Sequence, residues 1–201
     1  MIRIVVAEDE GLTREALVAL IGLAEGMRVV ASTGRGDEVL GLVERHDAGL
    51  AVLDVEMPGM DGIQVVEQLQ CLRAGFPALM LTSHARPGRL QRALKSGASG
   101  FLTKEVSAEK LWDVIRALHR GDRYVDPALA AAALAAGESP LTAREAEVLQ
   151  HAGEGNQLSA VALALNVSEG TVRNHMSSAI RKLGARNRIV AFRRATEAGW
   201  I

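Results

Sequence analysis

The 201-residue sequence predicts two folded parts: an α/β domain built on a doubly wound parallel sheet of five strands, and a small all-α domain after it. Two observations predict this fold class. Short apolar runs alternate with amphipathic helical patterns as far as about residue 121, which is typical of a parallel sheet with helices on both faces. From residue 140 onward the sequence shows helical periodicity without strand-like alternation.

Five runs of the first part have the length and composition of strands, and a helical pattern follows each of them. The runs are IRIVVA (2–7), RVVAST (28–33), GLAVLD (49–54), ALMLT (78–82) and SGFLTK (99–104), and the helical patterns cover 11–24, 36–46, 62–72, 87–96 and 107–120. Five such units fit a flavodoxin-like sheet with the strand order 2-1-3-4-5.

An alanine-rich stretch, PALAAAALAAGESP (127–140), separates the two parts and predicts a helical linker with a flexible end. Thr142 and Glu145 follow with the spacing of a capping box, which starts a helix. Further helices are expected at about 157–165, 168–183 and 187–198. The predicted domains are therefore 1–121 and 140–201, joined by a linker over 122–139.

The composition excludes several classes of protein. No apolar run approaches the roughly 18 residues of a membrane span, and acidic residues interrupt the start where a secretory signal would be apolar. The single cysteine, Cys71, excludes an internal disulfide and fits a reducing compartment, so we expect a cytoplasmic protein. The net charge is −1, with a slight basic excess in 127–201 that permits contact with nucleic acid but does not establish it.

Polar side chains stand at the carboxyl ends of four of the predicted strands. Glu8 and Asp9 follow the first strand, and the others are Asp54, Thr82 and Lys104. Because the carboxyl ends of parallel strands meet at one crevice, these groups are expected together. Three carboxylates repel each other unless a cation intervenes, and oxygen ligands suit Mg²⁺. Asp54 can then accept a phosphoryl group, whose charge Mg²⁺, Lys104 and the Thr82 hydroxyl would balance.

This set of residues resembles the receiver domain of two-component response regulators, and the resemblance covers residues 1–125. It implies that Asp54 accepts a phosphoryl group from a histidine kinase. It also implies that Asp9, Asp54 and the backbone carbonyl of Glu56 bind Mg²⁺, with Glu8 contributing through water.

The same resemblance assigns a switch that reports phosphorylation. Lys104 would pair with the phosphoryl group, while Thr82 and Phe101 form the switch, although packing alone also explains an aromatic residue such as Phe101. Glu56 and His84 stand two residues beyond the acceptor and the switch hydroxyl, where receivers adjust the lifetime of the phosphoryl bond.

The segment SEGTVRNHMSSAIRKL (168–183) separates into an apolar and a polar stripe when it is wound as a helix. The apolar stripe holds Val172, Met176, Ala179, Ile180 and Leu183, and the opposite side holds Arg173, Asn174, Ser177 and Arg181. The preceding LSAVALALNV (158–167) supplies a short helix and a tight turn, as a helix-turn-helix requires. The polar face of such a helix can also simply be solvated.

Residues 140–200 resemble the C-terminal DNA-binding domain of the NarL/FixJ class, which carries a LuxR-type helix-turn-helix. The matching segments are LTAREAEVL, SEGTVRNH and KLGARNR. The resemblance places Arg173, Asn174 and Ser177 at base edges of double-stranded DNA, and Thr171, Arg181 and Lys182 nearer to phosphates. Leu158, Ser159 and Ala160 depart from the pattern of the class, so the supporting helix should make fewer phosphate contacts.

Within this class, HARPGRLQRA (84–93) and the ending EAGW are similar to regulators of the DesR type, which work with a membrane-sensing kinase to control lipid desaturation.

One helix-turn-helix buries too little surface for tight specific binding, so we expect paired half-sites and a homodimer that forms on phosphorylation. Two surfaces are candidates for self-association. Val190 and Phe192 belong to the last helix, and Leu20 and Trp112 belong to neighbouring helices of the first domain, where they can form one apolar patch.

The sequence thus predicts a phosphorylation-activated transcriptional regulator, and not an enzyme beyond the slow hydrolysis of its own phosphoryl group. Two alternatives stay open. One is a dimeric DNA-binding regulator that works without phosphorylation. The other is a phosphatase with an aspartyl-phosphate intermediate, although dehalogenase-type phosphatases carry a second Asp two residues after the nucleophile, where this chain has Glu56.

Overall fold

A computed structural model of the protein describes residues 1–83, 87–137, 139–153 and 155–201. The chain divides into two compact units, which consist mainly of residues 1–130 and residues 131–201. None of the described helices is long and apolar enough to cross a membrane.

The first unit alternates strands and helices. The strands are β1 (Ile2–Ala7), β2 (Met27–Thr33), β3 (Leu50–Asp54), β4 (Ala78–Thr82), β5 (Gly100–Thr103) and β6 (Tyr124–Val125). The helices are α1 (Gly11–Gly22), α2 (Val39–Arg45), which a short 3-10 helix (Gly36–Glu38) precedes, α3 (Gly62–Leu72), α4 (Pro87–Lys95) and α5 (Ala108–His119). All neighbouring strands are parallel, in the order β2-β1-β3-β4-β5-β6, so the predicted fold class and strand order are confirmed.

The sixth strand corrects the predicted count of five. Tyr124–Val125 extends the sheet beyond β5, with Val125 opposite Phe101. The backbone N–H of Tyr124 donates to the carbonyl of Ser99 at 3.0 Å. A strand of two residues has no periodic pattern, so the sequence carries no signal for it. The sheet therefore continues into a segment that the sequence assigns to the linker.

The middle of the sheet is closed to solvent on both faces. Every residue of β3 and β4 is buried, which explains why these runs are apolar throughout and do not alternate. On one face, α1 and α5 contribute to a core cluster whose members include Ile4, Val6, Ile21, Leu111, Val114, Ile115 and Leu118. Full burial of one such aliphatic side chain stabilises the fold by about 1.5–3 kcal/mol, and this rigid core holds the strand ends in place.

The second unit is helical. Its elements are α7 (Ala143–Gly153), α8 (Leu158–Ala164), α9 (Glu169–Lys182) and α10 (Arg188–Glu197), and α6 (Pro127–Ala136) forms the predicted alanine-rich helix before them. The core is built mainly from Val148, Leu149, Ala152, Val161, Val172, Met176, Ala179, Leu183, Ala191 and Ala195. Asn166, in the turn between α8 and α9, has a φ of 52°, a left-handed conformation that Asn tolerates better than most residues.

Capping side chains fix where α7 and α9 start. Ser168 precedes α9, and its hydroxyl accepts the backbone N–H of Thr171 at 3.1 Å. The predicted capping box of α7 is confirmed: Thr142 Oγ1 accepts the N–H of Glu145 at 3.3 Å, and Glu145 Oε2 accepts the N–H of Thr142 at 2.7 Å. These bonds satisfy donors that a helix end leaves free.

Candidate functional site

The strand register brings the predicted polar residues to one edge of the sheet. Asp54 lies opposite Leu81, and Thr82 lies opposite Thr103. Glu8 directly follows β1, and β3 lies between β1 and β4 in the sheet. The sequence therefore ends three neighbouring strands at the same level, and this level forms the candidate site.

Lys104 links the two buried carboxylates of the site. Its Nζ lies 2.9 Å from Asp54 Oδ1 and 2.7 Å from Glu8 Oε2. Burial raises the pKa of both carboxylates, Glu8 being fully buried and Asp54 7 % exposed, while the Lys104 ammonium opposes that rise. Burial alone would lower the pKa of Lys104, but its hydrogen bonds to Glu8 and Asp54 and their charges outweigh that effect and raise it. The lysine therefore stays charged.

A third carboxylate completes an acidic cluster. Glu8, Asp9 and Asp54 each offer one carboxylate oxygen, and these oxygens lie within 4.8 Å of one another. One ammonium cannot balance three carboxylates, and a set made only of oxygen donors is what Mg²⁺ prefers. The donor set therefore fits this ion. The backbone N–H of Glu56 donates to Asp54 Oδ2 at 3.0 Å, which fixes the orientation of the carboxylate.

The two residues predicted to form the switch, Thr82 and Phe101, are buried on the neighbouring strands β4 and β5. Thr82 is 3 % exposed, and its carbonyl accepts the backbone N–H of Lys104 at 2.9 Å. Phe101 is fully buried and lies opposite Met80 on the neighbouring strand. His84 lies outside the described residues.

Gly62 lies where the start of α3 comes close to the end of β3. It is the first residue of α3, its N–H donates to the carbonyl of Val55 at 3.0 Å, and a Cβ at this position would overlap the backbone carbonyl of Asp54. The end of Met80 lies against the same point. Only glycine lets α3 start so near to the end of β3.

Replacing Gly62 by Ala is expected to destabilise the protein by about 1–3 kcal/mol, because the backbone at Asp54 must move to relieve the overlap. Differential scanning calorimetry measures the change. Gly22→Ala is the matched control: this glycine also lies in a helix, but a Cβ there meets nothing within 4 Å. The control is expected to be neutral or to stabilise by up to about 1 kcal/mol. Equal effects of the two variants would contradict the close approach.

In the second unit, α8, the turn and α9 form the predicted helix-turn-helix. The face of α9 that carries Val172 and Met176 is buried, and Arg173, Asn174 and Ser177 are exposed. Thr171 is partly exposed and Arg181 is exposed. The Nη2 of Arg173 lies 3.4 Å from the carboxylate of Glu169 in an exposed pair, which holds the arginine only weakly.

Lys182 forms an ion pair within the second unit. Its Nζ lies 2.6 Å from Oε2 of Glu145, a residue that is 4 % exposed. Burial alone would raise the pKa of Glu145, but hydrogen bonds from Lys182, Thr142 and Ser178 lower it from 4.5 to about 2. Sequence reasoning assigned Glu145 to the capping box only, and it missed this ion pair.

Replacing Glu145 by Gln is expected to lower the free energy of unfolding of the second unit by about 2–3 kcal/mol at pH 7. A carboxyl group with a lowered folded-state pKa stabilises above its unfolded value of 4.5, and the contribution is lost as the pH falls towards about 2. The difference between the two proteins should therefore shrink across this window. Urea titrations followed by Trp200 fluorescence, in a Trp112→Phe background, measure it.

Glu147→Gln is the control for this charge effect. Glu147 pairs with Arg144 at 2.6 Å, but its side chain is 46 % exposed. The control should cost less than about 0.5 kcal/mol at any pH. A loss for Glu145→Gln that stayed constant between pH 7 and pH 2.5 would contradict the assignment.

Of the four residues predicted for dimerisation, Trp112 and Phe192 make side-chain contacts within their own units. Trp112 is partly buried, and its Nε1 donates to the carbonyl of Leu20 at 3.0 Å, which joins α5 to α1. The side chain of Leu20 stays exposed. Phe192 is partly buried with its ring against Gly153, and Val190 is partly exposed.

Comparison with known families covers both units. Residues 4–116 match the response regulator receiver domain, and residues 139–195 match the luxR family of bacterial regulatory proteins. A receiver joined to a LuxR-type domain defines a two-component response regulator that regulates transcription. The chain belongs to the NarL/FixJ family of these regulators.

Several relatives match this protein over all or nearly all of its length. The transcriptional regulatory protein DesR of Bacillus subtilis is 37 % identical over 201 residues, which is the full length of both chains. The crystal structure of the response regulator ChrA of a heme-sensing two-component system is 29 % identical, with a TM-score of 0.59 over 100 % of this chain and 98 % of that one. A complex of the response regulator RcsB with DNA has a TM-score of 0.66 over 98 % of each chain at 22 % identity, which shows a shared fold.

Proposed function

We propose that this protein is a transcriptional regulator activated when a histidine kinase transfers a phosphoryl group to Asp54. The observation that carries the proposal is the contact of 2.9 Å between Lys104 Nζ and Asp54 Oδ1, at the edge where Glu8 and Asp9 gather. A buried carboxylate next to a cation and an acidic cluster has the composition of a phosphoryl-accepting site.

The chemistry starts at the Asp54 carboxylate. One of its oxygens attacks the phosphorus of a phosphohistidine, the P–N bond breaks, and the electron pair leaves with the imidazole nitrogen. An acyl phosphate forms on Asp54. Lys104 then donates to a phosphoryl oxygen in place of the Asp54 oxygen that it contacts in this structure. The Thr82 hydroxyl turns towards the same group, and the space that it leaves lets Phe101 move.

We propose that Mg²⁺ takes part, held by the carboxylates of Asp9 and Asp54 and by the backbone carbonyl of Glu56, with Glu8 in support. When bound, it neutralises charge on the phosphoryl oxygens. The acyl phosphate on Asp54 is then hydrolysed slowly. In this proposal that is the one reaction the protein catalyses, and it does not act as an enzyme on other substrates.

Phosphorylation favours a homodimer in this proposal, because it shifts an existing equilibrium between receiver conformations. The dimer interface is formed either by Leu20 and Trp112 or by Val190 and Phe192. The dimer then places two copies of α9 in the major grooves of paired half-sites, as expected for a regulator working on bacterial DNA in the cytoplasm.

Reading of the DNA is assigned to the exposed side of α9. Arg173, Asn174 and Ser177 contact base edges, and Thr171 and Arg181 contact phosphates. The assignment is supported by exposure on the side opposite the buried stripe of α9, which is partial for Thr171 and full for the other four residues.

The proposal is tested by treating the protein with acetyl phosphate, with Mg²⁺ or with EDTA, and measuring intact mass, sedimentation and DNA affinity. We expect the mass of one phosphoryl group only with Mg²⁺, together with dimerisation and tighter binding to duplexes selected from a random pool. DNA affinity that stays the same after phosphorylation would instead favour a phosphorylation-independent dimeric regulator. Turnover of a generic phosphate ester would favour the phosphatase.

A further inference from the structure

The last turn of α9 carries a cation, Lys182, that is paired with a buried carboxylate. Lys182 Nζ donates to Glu145 Oε2 at 2.6 Å, and the same oxygen accepts the backbone N–H of Thr142 at 2.7 Å. The side chain of Glu145 is 6 % exposed and that of Lys182 is 32 % exposed. The two residues belong to α7 and α9 and are 37 positions apart in sequence, so the pair fixes one helix against the other.

A phosphate of DNA would have to compete with this buried partner. Moving the ammonium of Lys182 onto a phosphate would leave the Glu145 carboxylate buried without its cation, which is strongly unfavourable. Arg181, the neighbouring residue, is exposed and has no such constraint from Glu145. The lowered pKa of Glu145 keeps the carboxylate charged throughout the neutral range.

A second side chain holds the same end of α9. Nη1 of Arg194, on α10, donates to the carbonyls of Leu183 and Gly184 at 2.8 Å each. The C-terminal end of α9 is therefore tied to both α7 and α10. Arg173 and Asn174 lie nearer the N-terminal end of the same helix, so the tie contributes to the orientation of α9 and to the direction in which their side chains reach.

We propose that Lys182 is a positioning residue and not a phosphate ligand: together with Glu145 it fixes α9 against α7 and so directs Arg173 and Asn174 at the base edges. This reassigns Lys182 from the phosphate contact that the sequence resemblance implies, and it rests on the proposed DNA-binding function. Arg181 then remains the phosphate-contacting cation of the last turn of α9.

The test measures affinity for a duplex selected from a random pool and for an unrelated duplex of the same length, over a series of salt concentrations. Arg181→Met should reduce the slope of log affinity against log salt by about 0.9, the value for one phosphate contact, without changing the ratio of the two affinities. Lys182→Met should leave the slope unchanged and reduce the ratio about tenfold. Lys182→Arg, which keeps a cation within reach of Glu145, should restore the ratio.

A second variant keeps the test valid if Lys182→Met does not fold, which Trp200 fluorescence reports. Glu145→Gln releases Lys182, so the salt slope should become steeper by up to about 0.9 while the affinity ratio falls. A smaller slope in Lys182→Met, or an unchanged ratio in both variants, would overturn the inference. Failure of the full-length wild-type protein to enrich any duplex would instead refute the proposed function.

Discussion

Replacing Asp54 by Asn is expected to abolish the uptake of phosphoryl groups from acetyl phosphate, down to the background seen without protein. The amide of Asn is uncharged and a poor nucleophile, so it cannot form the acyl phosphate. The acidic cluster also loses one of its three carboxylates, and Lys104 loses an ion pair of 2.9 Å. Intact-protein mass spectrometry with Mg²⁺ present measures the result, and DNA affinity should stay at the unphosphorylated level.

Asp113→Asn provides the matched control for this loss. Asp113 lies on α5 in the same unit, and its side chain is 74 % exposed. It should take up the phosphoryl group as the wild-type protein does. A full mass increase in the Asp54 variant would show that the acceptor is another residue.

Replacing Arg173 by Ala is expected to weaken binding to a selected duplex by about 1–3 kcal/mol, roughly 5- to 150-fold, and to relax the preference at one base pair. The guanidinium lies on the exposed face of α9, and its pair with Glu169 at 3.4 Å is exposed and therefore weak, so the side chain can turn to a base edge. Fluorescence anisotropy with the selected duplex and with single-base variants of it measures both effects.

Arg193→Ala controls for the loss of one positive charge. Arg193, on α10, is 71 % exposed and pairs with Glu197 at 3.8 Å, which closely matches the setting of Arg173. We expect a change below about threefold, because its charge acts on the DNA only through solvent. An equal loss in both variants would point to a general charge effect and away from base reading.

The sequence was sufficient to predict five of the six strands and the groups at their carboxyl ends, for a physical reason. In a parallel sheet the end of each strand is set by its register, so the chain positions of Asp54, Thr82 and Lys104 already imply their proximity. The structure places Lys104 within 2.9 Å of Asp54, as this reasoning expects. The capping box of α7 is equally local, because Thr142 and Glu145 are three residues apart.

Interactions between distant elements were outside the reach of such reasoning. The sequence predicts that Trp112 of α5 belongs to a dimer surface, yet its indole N–H donates to the carbonyl of Leu20 of α1. Phe192 rests against Gly153 in a similar way. Helical periodicity states which side of a helix a residue occupies, but the neighbour that covers it depends on helix crossing angles. Sequence reasoning missed the pair of Glu145 and Lys182 for the same reason, because the two residues lie on different helices, α7 and α9.

The short strand β6 bears on where the receiver can be cut from the rest of the chain. Tyr124–Val125 covers the outer side of β5, where Phe101 lies. A fragment that ended at Gly121 would leave backbone N–H and C=O groups along this edge of β5 without hydrogen-bond partners. An unpaired strand edge of this kind can pair with strands of other molecules. Self-association of that fragment would then reflect the truncation, so a stand-alone receiver should keep the chain at least as far as Asp126.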